Sequence, residues 1–82
     1  MQITIYTKPG CKYCSQVKEL MVRANLDYEE INVTNTELKE DFYSKYPSAK
    51  SYPYVIIDGE AVGGLVETAM IFVQRGLVSS KK

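Results

Sequence analysis

The sequence predicts an α/β fold in which a four-stranded mixed sheet, built in the order βαβαββα, carries helices on both faces. Three observations carry that expectation. Short β-favouring runs alternate with two stretches of helical periodicity through the first half of the chain. Asp58-Gly59, set between apolar residues, marks a tight hairpin in the second half. The last apolar stretch closes on Gly76, where a glycine just past a helix end belongs. A strand, a helix of about three turns and a second strand make a right-handed unit with parallel strands. A following helix, an antiparallel hairpin and a last helix complete a mixed sheet.

Gln2 to Tyr6 (QITIY) places Ile3 and Ile5 on one face of a short strand, which Pro9 and Gly10 terminate. From Cys14 onward, Val17, Leu20, Met21 and Ala24 fall at the i, i+3, i+4, i+7 spacing of a buried stripe, predicting a helix that ends near Asn25. Asp27 to Val33 (DYEEINV) reads as the second strand. Thr34 and Asn35 are N-cap residues for a second helix, whose buried face is Leu38, Phe42 and Tyr46 and which Pro47 stops. PSAKSYP, including Lys50, reads as a loop with solvated charge, and Tyr54 to Ile57 (YVII) as a central strand. Glu60 to Val62 should pair antiparallel with it, before Gly63-Gly64 interrupts the strand. Val66, Ala69, Met70 and Val73 then repeat the helical spacing over Leu65 to Arg75 and are expected in the core, while the tail SSKK is expected to fray.

Composition limits what the chain does. Eighty-two residues make one domain, 1–82, and with 45% apolar residues a single core is feasible. Ten Lys plus Arg balance ten Asp plus Glu, which removes the long-range attraction that nucleic-acid binding or a polybasic membrane contact needs. No segment approaches the roughly 18 consecutive apolar residues of a membrane span, and the first ten residues do not read as a secretory leader. A cytoplasmic monomer is the expectation.

The chemistry concentrates in GCKYCSQVK, where Cys11 and Cys14 stand three positions apart at the start of the first helix. Two cysteines are too few for the disulfide framework of a small secreted domain, and a bridge across so short a loop would stabilise little. His is absent, so Cys/His catalysis is excluded and a zinc site lacks two ligands unless carboxylates or a second chain supply them. Redox exchange has a physical rationale that the staple and the metal lack. The free N–H groups and the positive end of the helix dipole stabilise a thiolate on the first sulfur. An unperturbed thiol is only about 3% ionised at pH 7, whereas one lowered to a pKa of about 5–6 is more than about 90% ionised. Because nucleophilicity falls with basicity, the larger benefit is a better leaving group. Lys8 and Lys12 add cationic charge worth about half a pKa unit each at about 6 Å in water, less than the helix terminus supplies.

TKPGCKYC after a first strand, SYPYVIID about forty residues later and the Gly pair before the last helix resemble a glutaredoxin over nearly the whole chain. The resemblance implies a thioredoxin-like fold and a glutathione-dependent thiol–disulfide oxidoreductase acting on protein disulfides and glutathionylated proteins, with glutathione as co-substrate and no metal. It implies that Cys11 is the nucleophile and Cys14 the resolving thiol. Tyr52-Pro53 matches the family's cis X-Pro, whose backbone would pair with glutathione like a short antiparallel strand. Lys8 and Tyr13 match positions that contact glutathione near the thiol. Gly64 begins the helix whose amides, with Leu65, would receive the γ-glutamyl carboxylate, and Glu67 or Thr68 would meet its amino group only with a shifted helix start.

Three positions depart from the family pattern. Lys12 replaces the usual proline between the cysteines, which implies a shifted redox potential. Leu65, Val66 and Glu67 follow the Gly pair in place of a small residue and two acidic ones, and Val66 cannot meet an amino group. Tyr52 replaces a smaller aliphatic residue and would narrow the groove or stack on a substrate. Two alternatives stay open on the same resemblance: a glutaredoxin-like electron donor reduced by a thioredoxin reductase, and a carrier of a glutathione-ligated iron–sulfur cluster.

Overall fold

A computed structural model describes residues 1–49 and 51–78; Lys50, expected in a loop, and the expected fraying tail 79–82 lie outside the described residues. The elements follow the expected order: β1 (Ile3–Thr7), α1 (Lys12–Arg23), β2 (Glu29–Asn32), α2 (Thr36–Lys45), β3 (Tyr54–Ile57), β4 (Glu60–Gly63) and α3 (Leu65–Gln74). The strands form one mixed sheet in the order β2-β1-β3-β4, with β1 parallel to β2 and antiparallel to β3, and β3 antiparallel to β4.

Both central strands are buried on both faces, which is why they read as nearly unbroken β-branched runs. On one face, Ile3, Ile5, Val55 and Ile57 pack against Val17 and Met21 of α1 and Phe72 of α3. On the other, Tyr6 and Ile56 pack against Phe42 of α2, with Val33 and Ala49 closing the cluster. Phe42 is wholly enclosed, and the rings of Tyr6, Tyr43, Tyr52 and Tyr54 lie 4.5–5.5 Å from its centroid in tilted or edge-on packing.

The caps explain where the helices begin and end. Asn35 accepts the Leu38 N–H at 2.8 Å to start α2. Past the end of α1, Asn25 takes φ +61, and Leu26 N–H and Asn25 N–H reach back to Met21 O and Val22 O, a Schellman closure. Gly76 closes α3 in the same way through Leu77 N–H to Phe72 O. Asp58 and Gly59 both take positive φ, as a two-residue I′ hairpin requires.

One stripe differs from expectation. Val66, Met70 and Val73 of α3 are exposed, and the buried residues are Thr68 and Phe72, with Leu65, Ala69 and Ile71 half-buried. Helix α3 is apolar almost all the way round, so periodicity alone could not choose its face; packing of Phe72 between α1 and the central strands decided it. Val66, Met70 and Ala69 instead line an open apolar groove of about 1100 Å³ together with Leu20 and Leu65.

Candidate active site

Three chain segments converge at one end of the sheet. The C-terminal end of β1 leads into the cysteine turn, the N-terminal end of β3 follows Pro53, and β4 runs into the Gly63-Gly64 turn. The register Tyr6↔Tyr54 sets Pro53 beside Thr7, and Val55↔Gly63 brings the Gly pair alongside.

Lys8-Pro9-Gly10-Cys11 forms the turn that delivers the first cysteine. Pro9 fixes the first central position, Gly10 supplies φ +78 at the second, and Cys11 N–H returns to Lys8 O at 3.3 Å, the pattern of a type II turn. Cys11 is then the N-cap of α1, with extended backbone and a sulfur that accepts the Cys14 N–H at 3.1 Å. One turn on, Cys14 is only 4% exposed, whereas Cys11 is half-buried at the helix tip. The two are joined as a disulfide with Cα atoms 5.4 Å apart, so the structure holds the oxidised pair. A thiolate formed at Cys11 would meet that N–H and the helix terminus.

The tip is anchored behind by a polar relay. Buried Thr7 donates its hydroxyl to Glu30 Oε2 at 2.7 Å and accepts from Asn32 Nδ2 at 2.9 Å, while Lys18 of α1 pairs with Glu30 at 3.3 Å. The Thr7 hydrogen bond, and then Lys18, hold the Glu30 carboxyl below the usual carboxylate range against the opposing effect of desolvation.

The other expected site residues fall around this end. Tyr52-Pro53 is cis and Pro53 is buried. Tyr13 is exposed beside the pair, with Lys12 Nζ 5.9 Å from its ring centroid. Lys8 is exposed, its Nζ 5.5 Å from the centroid of the Tyr52 ring. Tyr52 turns inward onto Phe42, 5.3 Å between centroids. Its hydroxyl is enclosed without a hydrogen-bond partner among the described residues. Burial first, and then the nearby Tyr43 hydroxyl, push that phenol up to about 12; Tyr43 stands close to it without hydrogen-bond geometry. Gly64 is the N-cap of α3, and its N–H donates to Glu67 Oε1 at 3.1 Å. Leu65, the first residue of α3, is half-buried against the α1 core.

The sequence reading missed the wall opposite Lys8. Thr34, Asn35, Thr36, Lys39 and Tyr43 join Lys8 and Tyr52 around a polar cleft of about 450 Å³, lined among the described residues by two cations and no carboxylate. The Asn35 cap was the available signal, since it turns the first residues of α2 toward the cysteine turn. Among the described residues no group of three or more His, Cys, Asp or Glu is placed to hold a metal ion, and no helix is long and apolar enough to cross a membrane.

A family model described as Glutaredoxin matches residues 3–62. Glutaredoxin 1 of Rickettsia felis is 44% identical over 64 residues, covering 76% of this chain and 63% of that protein. The match spans 54%, 63% and 63% of the length of three curated relatives, so this chain corresponds to somewhat over half of each. Among solved structures, the thioredoxin-like protein BC3987 is 34% identical with a TM-score of 0.69, covering 84% of this chain and 96% of that one. A buckwheat glutaredoxin–glutathione complex shares the fold at 23% identity and a TM-score of 0.74, covering 93% of this chain and 71% of that one.

Proposed function

The chain belongs to the glutaredoxin family, and from that membership together with the position of Cys11 we propose that it is a glutathione-dependent thiol–disulfide oxidoreductase. The observation that carries the reading is the asymmetry of the pair. Cys11 sits at the helix tip with a backbone N–H aimed at its sulfur, and Cys14 lies buried behind it.

The Cys11 thiolate attacks one sulfur of a substrate disulfide. A Cys11–substrate bond forms, the old S–S bond breaks, and the departing thiolate takes a proton from water. Cys14, as its thiolate, then attacks Cys11 Sγ, which closes the Cys11–Cys14 disulfide and releases the second substrate thiol. One glutathione thiolate opens that disulfide to a Cys11–glutathione mixed disulfide, and a second attacks the glutathione sulfur, leaving glutathione disulfide and the Cys11 thiolate. In the monothiol route glutathione takes the part of Cys14.

On this reading Lys8 and Tyr13 flank the bound thiol, and the Tyr52-Pro53 backbone pairs with the glutathione backbone. Gly64 and Leu65 face the γ-glutamyl end, where Glu67 also stands. Substrates are disulfide-containing or glutathionylated proteins, and the chain works as a cytoplasmic monomer. The buckwheat relative solved with glutathione supports the choice of reductant. A second reading, an electron donor reduced by a thioredoxin reductase, is favoured by the Glu67 carboxylate already engaging Gly64 N–H and by the likeness to a thioredoxin-like protein.

The test compares wild type, Cys11→Ser and Cys14→Ser in the reduction of a small glutathione mixed disulfide coupled to glutathione reductase. Activity should vanish in Cys11→Ser. Full activity there would overturn the assignment of the nucleophile. Turnover with thioredoxin reductase but none with glutathione would select the second reading.

A further inference from the structure

We propose that Glu67 is a built-in competitor for the γ-glutamyl carboxylate of glutathione, and so sets how strongly the site prefers glutathione over disulfides that bring no carboxylate to the Gly pair. The proposal rests on the reading of glutathione as a substrate of this site.

Three observations place Glu67 across the path of that carboxylate. Its Oε1 accepts the Gly64 N–H at 3.1 Å, which occupies a donor that an incoming anion would use at the start of α3. Its side chain folds back over the turn: a Cβ at Gly63 would lie 3.3 Å from both Glu67 Cγ and Cδ, so the glycine leaves the space that the fold-back occupies. Its carboxylate also stands beside the strand that faces substrate. A Cβ at Gly64 would lie 3.5 Å from Glu67 Oε1 and 3.6 Å from the Pro53 carbonyl oxygen, which brackets Gly64 between the two.

Two carboxylates cannot share one N–H, and at this distance they repel. Glutathione must therefore push Glu67 out toward water, where the exposed side chain is free to go, giving up the hydrogen bond that caps α3. A disulfide with no carboxylate at that end leaves Glu67 in place. The opposite role, in which Glu67 draws in the γ-glutamyl ammonium, predicts the opposite sign, because removing the charge would then weaken the reaction with glutathione.

The experiment uses the reduced Cys14→Ser protein, in which only Cys11 reacts. Stopped-flow rate constants are measured with glutathione disulfide and with neutral 2-hydroxyethyl disulfide. Each forms a Cys11 mixed disulfide and expels one thiolate. In Glu67→Gln the glutathione-to-hydroxyethyl ratio should rise about fourfold, the factor that corresponds to about 0.8 kcal/mol for unit charges about 5 Å apart in water. The gain should shrink as salt is added. Glu67→Ala, which also frees the Gly64 N–H, should raise the ratio further; if its lost cap unfolds α3, Glu67→Gln carries the test alone. An unchanged or lowered ratio in Glu67→Gln overturns the proposal. A parent that reacts with glutathione disulfide as expected while the ratio stays flat leaves the functional reading intact. A parent that reacts with neither disulfide overturns the assignment of Cys11, and this proposal with it.

Discussion

Replacing Gly63 by alanine should destabilise the protein through two separable effects. The backbone at 63 has φ +123, outside the comfortable range of an L side chain, and holding alanine there costs about 1–3 kcal/mol. The new Cβ would also stand 3.3 Å from Glu67 Cγ and Cδ. Glu67 would have to give by a few tenths of an ångström, and the strain on its bond to Gly64 N–H would add about 0.5–1.5 kcal/mol. Gly10→Ala is the comparison, because Gly10 has φ +78 with nothing within 4 Å of a new Cβ, so only a backbone cost of about 1–2 kcal/mol applies. With an m-value of about 1 kcal/mol/M, Gly63→Ala should lower the urea midpoint by about 1.5–4.5 M, and Gly10→Ala by about 1–2 M. Adding Glu67→Ala should return about 0.5–1 kcal/mol to Gly63→Ala and nothing to Gly10→Ala. Equal midpoint shifts for the two glycines, together with strict additivity toward Glu67, would refute the contact between Glu67 and the Gly turn.

The remaining predictions concern the core and the relay behind the site. Phe42→Ala, which empties the centre of the aromatic cluster, should cost about 3–5 kcal/mol in urea denaturation, and a loss below about 1 kcal/mol would contradict that packing. The Glu30 carboxyl is depressed in the folded protein, so its contribution is present above the ordinary carboxylate range and disappears as pH falls through the depressed value. Glu30→Gln should therefore lower the melting temperature near pH 7 and narrow its difference from the wild type near pH 3; a difference independent of pH would remove the Thr7 and Lys18 contacts as its source.

The features legible in the sequence were those whose signals are local. Asp58-Gly59 specifies its own turn, Pro47 and Gly76 bound their helices, and the run YVII marked a strand buried on both faces. Cys11 was legible as an N-cap because Pro9-Gly10 must end the strand and the periodic stripe begins at once. The boundaries of β1 and β2 moved by a residue or two, since ladder pairing and not propensity sets where a strand stops. The exposed face of α3 was not legible, because a helix apolar on nearly every side gives no preferred stripe and Phe72 found its place through α1. The relay from Thr7 to Glu30 and Lys18 joins residues up to 23 positions apart and exists only once β1, β2 and α1 are assembled. Tyr52 was expected to narrow the groove or stack on a substrate; its ring both lines the cleft beside Lys8 and packs onto Phe42, a contact that exists only once α2 is docked on the sheet. Glu67 was expected to meet a substrate ammonium only with a shifted helix start, and α3 begins at Leu65 as expected. The spacing Gly64-x-x-Glu67, with the acidic residue three places after the N-cap, held a clue to its fold-back onto Gly64 N–H.

The central claim is that the two sulfurs differ in kind, an accessible nucleophile at the helix tip and a buried partner behind it. Treating reduced Cys14→Ser and Cys11→Ser with glutathione disulfide, and following adduct formation by mass spectrometry, tests this most directly. Rapid formation of one glutathione adduct on Cys11, with Cys14 in the other variant reacting at least about tenfold more slowly, is the predicted result. Equal rates at the two sulfurs, or faster reaction at Cys14, would contradict it.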